Sequence, residues 1–127
     1  MTHFQPQVEF LTPEESAQVD QALLTARDRF SARVALYSLR SLKQIAAETQ
    51  QEIPAITPAQ IQAWVQQDTT LTQGVDIDAG FLQFFTQLVL SSLKPLTQMA
   101  ESYGVAIADL DTSQVIAWFE QEAKRLL

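Results

Sequence analysis

The chain has 127 residues, of which 46% are hydrophobic and 18% charged; 15 acidic against 8 basic residues give a net charge of −7. That length and apolar content suffice for one domain with a buried core and exclude a disordered chain. The absence of Cys excludes a disulfide scaffold, a thiolate zinc site and a Cys nucleophile, and the acidic balance excludes a generally basic nucleic-acid binder.

Residues 1–11, with Glu9, two Gln and a Pro, have neither the basic start nor the apolar run of a secretory signal and are expected to form an extended arm. A helix is expected to begin at Thr12-Pro13-Glu14-Glu15. Thr12 accepts from the N3 amide, Pro13 suits N1, and Glu15 reaches back to the cap. No Gly or Pro follows until Pro54, so the pattern predicts one helix over Pro13 to Gln50. Such a helix would be about 57 Å long, whereas a compact domain of this size is roughly 36 Å across. Either the helix breaks around Asp20 to Arg27, or the molecule is elongated and meets a second chain. With no breaker in the sequence, the second option, a homodimer, is favoured.

After the linker Ile53-Pro54-Ala55-Ile56, the run Thr57-Pro58-Ala59-Gln60 repeats the cap and predicts a shorter helix to about Thr70. A second long helix is expected from about Asp78 to Tyr103, ending at Gly104. A second short one should start after Asp111 as N-cap, with Gln114 at N3. Pro95 lies inside the second long helix and is expected to kink it near Ser91 and Ser92.

These elements fall into a repeat. Shifted by 54 residues, 30–68 lies on 84–122 without a gap, pairing Phe30 with Phe84, Leu36 with Leu90, Ser38 with Ser92, Ile53 with Ile107, Gln60 with Gln114 and Trp64 with Trp118. The expected architecture is therefore all-α: a single domain of duplicated long-helix/short-helix hairpins, residues 12–72 and 73–127, packed as a helical bundle. No strand pattern competes, since Val8-Glu9-Phe10 and Val105-Ala106-Ile107 are too short to build a sheet. In composition, with 17 Gln and no Asn, the chain resembles small helical proteins of thermophilic cyanobacteria. That resemblance has no motif and implies no function.

Two surfaces stand out. Five of the eight basic residues lie between Arg27 and Lys43, and Arg29, Arg33, Arg40 and Lys43 share an arc of about 80°. With Tyr37 they are the candidate partner-binding face, suited to an acidic peptide or subunit because Arg offers a bidentate match to carboxylates. The competing reading is a solvated face, or ion pairs to acids of neighbouring helices. On the second long helix, apolar residues from Phe81 to Met99 cover more than half the circumference. There Phe81, Phe85 and Leu88 are the candidate dimer or client groove, against a plain core role.

Chemistry has little material. Asp76-Ile77-Asp78 opens like a calcium loop, but Gly80 and Gln87 stand where ligands are required. His3 is the only His, Ser91 and Lys94 share a spacing without companion motifs, and the three Gly are scattered. The helix from Pro58 to Thr70 carries no Lys or Arg, so it is no DNA-recognition helix. The most apolar stretch, 81–96, is interrupted by polar residues and too short to span a bilayer. The expectation is a cytoplasmic, non-enzymatic protein–protein adaptor, an assembly factor or chaperone, without metal or cofactor. The alternative is a small-molecule or pigment-binding bundle with the two Trp lining a pocket.

Overall fold

The computed structural model describes residues 11–22, 26–67 and 79–125. These form five α-helices and two single 3₁₀ turns: α1 (Pro13–Gln21), α2 (Ala26–Thr49), a turn at Ile53–Ala55, α3 (Pro58–Gln67), α4 (Ala79–Tyr103), a turn at Ile107–Asp109, and α5 (Thr112–Arg125). The fold is all-α, with no strand among the described residues.

The start of α1 follows from its sequence. The Glu15 amide donates to Thr12 Oγ1 at 3.1 Å, and the Glu15 carboxylate accepts from the Thr12 amide at 3.0 Å. Its end does not: the single helix expected over Pro13 to Gln50 is instead two, with Ala22 already extended at φ −74°, ψ 152°. The chain then doubles back, so that Asp20 meets Arg33 and Glu15 meets Arg40, an antiparallel pair. The physical reason lies in Leu11 and Val19, which are 5% and 0% exposed in this arrangement. Continued as one rod, α1 would leave both in water. The remaining α2, with 24 residues, is about 36 Å long and matches the width of a compact domain.

The two long helices end in the same way. After Thr49, Gln50 takes φ +54° and the Gln51 amide donates to the Ala46 carbonyl at 3.1 Å; after Tyr103, Gly104 takes φ +68° and the Val105 amide donates to the Ala100 carbonyl at 3.0 Å. Both are Schellman closures, built at positions 54 residues apart. A 3₁₀ turn follows each at the same offset, and then a capping box. Thr57 and Gln60 exchange hydrogen bonds at the head of α3, and Asp111 and Gln114 do so at the head of α5. Only the second closure has glycine at the left-handed position, so Gln50 carries strain that Gly104 does not. Gln50→Gly is expected to stabilise the fold by about 0.5–1 kcal/mol, and Gly104→Ala to destabilise it by about 1 kcal/mol. A Cβ at Gly104 would meet nothing within 4 Å, so backbone strain alone sets that cost. Urea titration of the two variants beside wild type measures both signs.

The halves are interleaved. The short helix α3 packs more on α4 than on its own neighbour α2, and α5 packs more on α2 than on α4. One buried cluster joins all five helices, including Leu36, Tyr37, Leu42, Ile61, Val65, Val89, Leu96, Met99, Leu110 and Val115. Three buried hydroxyls are satisfied locally: Ser38, Thr86 and Ser92 each donate to the carbonyl four residues earlier, at 2.7, 2.8 and 3.0 Å, whereas the buried Trp64 Nε1 has no hydrogen-bond acceptor among the described residues. Trp64 and Trp118 are half-buried at the edge of this core, while Ile61, Val65, Val115 and Phe119 fill it from the short helices. Helix α4 runs through Pro95, which has no amide hydrogen to give the Ser91 carbonyl.

Candidate functional site

The basic face expected on α2 is largely consumed within the molecule. Arg33 Nη2 lies 2.8 Å from Asp20 Oδ1, and Arg40 Nη1 lies 2.5 Å from Glu15 Oε1, so α1 covers two of the stripe's cations. Glu15 thereby closes the α1 cap and anchors α1 to α2 with the same oxygen. Lys43 Nζ donates to the Leu110 carbonyl at 2.7 Å, tying α2 to the connector before α5. Arg29 is exposed near the start of α2. Of the two readings open for the stripe, ion pairing to a neighbouring helix is what Arg33 and Arg40 do.

Tyr37, placed on that face by its spacing, is 1% exposed and belongs to the core. Its ring centroid lies 4.8 Å from that of Phe85, which in turn stacks on Phe81 at 5.7 Å. The Arg40 guanidinium sits 5.7 Å from the Tyr37 ring. The structure thus brings the two candidate sets together, but as one packed seam between α2 and α4. Phe85, expected in a dimer or client groove, is 4% exposed and is likewise core, because the wide apolar arc of α4 is needed to face both α2 and α3.

Phe81 and Leu88 of that set are half-buried, and Leu88 lines a surface hollow. The hollow is open, of about 230 Å³, and Phe30, Val34, Ala35, Ser92, Pro95 and Phe119 also line it. Phe30 at its edge is 52% exposed. Phe84, 54 residues further on, is 57% exposed, and these are the exposed large apolar side chains among the described residues.

A second and larger feature was not anticipated. The two joints that close α2 and α4 lie beside one another and leave an open groove of about 510 Å³. Ala46, Ile53, Ala100 and Ile107 contribute its apolar walls, and Pro54, Val105, Ala106 and Ala108 continue them toward solvent. Glu52 and Glu101 stand exposed on its lining. The groove takes matched residues from both halves, 46 with 100 and 53 with 107, so it sits across the relation between them. The signal for it was present: these connectors are more apolar than a plain turn needs. Sequence spacing alone did not say that they meet.

Among the described residues no group of three or more His, Cys, Asp or Glu is placed to hold a metal ion. The Asp76 and Asp78 pair and His3 lie outside the described residues. No helix among the described residues is long and apolar enough to cross a membrane.

The fold defines a helical bundle, and among the described residues two of its surface hollows have mainly apolar walls. The model of one family, described as NDH complex assembly factor CRR9, matches residues 11–126, and the chain belongs to that family. No curated protein and no solved structure shows a match to it.

Proposed function

We propose that the chain acts in assembly of the NDH complex by holding a protein subunit or assembly intermediate on its helical surface, without catalysing a reaction. The observation that carries this reading is the family match, which extends over residues 11–126. The surfaces support it: open apolar hollows walled by aliphatic side chains suit a protein segment docked by shape and desolvation. The test is genetic and biochemical. In cells lacking the chain, fully assembled NDH complex is expected to fall and partial complexes to accumulate on native gels, with recovery when the wild-type chain is restored. An undiminished complex in those cells overturns the reading.

A further inference from the structure

The groove between the two helix joints has a charge as well as a shape. Glu52 and Glu101 line it, and Asp109 follows directly on the lining residue Ala108. All three residues are exposed. The one cation on this part of α2, Lys43, is committed to the Leu110 carbonyl. None of these three acids makes an ion pair among the described residues. Arg33 and Arg40, paired with Asp20 and Glu15, sit on the portion of α2 under α1.

We infer that this groove docks an apolar protein segment flanked by lysine or arginine. This deepens the assembly reading and rests on it. The aliphatic walls supply the desolvation, and the carboxylates select and orient basic flanks against acidic ones. The walls suit a helix or extended strand of a partner because Ala46, Ala100, Ala106 and Ala108 allow its backbone to come close. Two other polar side chains of the lining are engaged within the fold: the Gln51 amide donates to the Ala55 carbonyl at 3.3 Å and accepts from Gln60 at 2.8 Å, and the Thr97 hydroxyl donates to the Leu93 carbonyl at 2.7 Å.

The test uses the full chain and two synthetic helical peptides of one Leu pattern, the first with Lys and the second with Glu at every polar position. Wild type is expected to bind the Lys peptide roughly tenfold more tightly than the Glu peptide. Glu52→Lys with Glu101→Lys removes that preference. A control in which the exposed Gln18, Gln62, Gln66 and Gln83 become Lys adds the same net charge elsewhere and keeps most of it. Ala106→Trp, at an exposed lining position, fills the groove and weakens the Lys peptide regardless of charge. Equal loss in the control and the Glu variant, or undisturbed binding in Ala106→Trp, overturns the assignment. So does a wild-type dimer in sedimentation that Ala106→Trp splits, since the occupant is then a second copy. In cells, full assembly of the complex with the Glu52→Lys/Glu101→Lys chain overturns the groove assignment while the assembly reading stands. An unaffected complex in cells lacking the chain overturns that reading instead.

Discussion

Tyr37→Ala is expected to lower the unfolding free energy by about 3–4 kcal/mol, in the range for deleting a buried aromatic side chain. The ring is 1% exposed and contacts Phe85 at the seam of α2 and α4, so its removal leaves a cavity between the two longest helices. Phe85→Ala is expected to cost a similar amount, and the double variant less than the sum, with a coupling of about 0.5–1.5 kcal/mol for the ring pair. Phe30→Ala, at a 52% exposed position, is expected to change stability by less than about 1 kcal/mol. Urea unfolding of the four variants measures all of this. If Tyr37 instead served a docking face, its truncation would leave the midpoint in place, and that result would sink the assignment to the core.

Arg33→Glu combined with Arg40→Glu is expected to destabilise the fold by about 2 kcal/mol. A solvent-facing ion pair contributes little by itself, about 0–1 kcal/mol, and Asp20 is 59% exposed. Reversal does more than delete two pairs, because it sets carboxylates against Asp20 and Glu15, and Glu15 is only 15% exposed. The same Glu15 oxygen closes the α1 cap, so repulsion there loosens the helix start and the burial of Val19 together. Arg33→Glu with Asp20→Arg is expected to recover most of the loss at that pair. The deficit should also narrow near 1 M salt, where the screening length is about 3 Å. Thermal melts of the variants at low and high salt supply the measurement; a melting temperature equal to wild type would show that the stripe is free of α1.

The contrast between these residues and their spacing shows what was legible. Helix starts were readable from Thr12, Thr57 and Asp111, because a cap is a local hydrogen-bonding device completed within four residues. The closure at Gly104 was readable for the same reason, and the equivalent one at Gln50 was hidden, since glutamine does not advertise a left-handed backbone. The end of α1 had no local marker at all. It is set by what folding back buries, Leu11 and Val19, and by acids meeting bases 25 and 13 residues away. The basic stripe was real as an arc of a helix, but an arc does not say whether its outside is water or another helix. For Arg33 and Arg40 it is α1. The groove depends on two connectors 54 residues apart lying side by side, a tertiary fact that no window of sequence contains.

The crossed packing of α3 on α4 and α5 on α2 has a consequence for how the molecule comes apart. Neither half keeps its own short helix as its main neighbour, so neither has a private interior to retreat to when the other loosens. Heat or denaturant should therefore dismantle the bundle in one transition, with amide protons of Leu42 and Leu96 exchanging only through opening of the whole. A ribosome that has released only the first half has produced a hairpin whose long helix still lacks its principal cover. Native order then waits for α4 and α5 to follow.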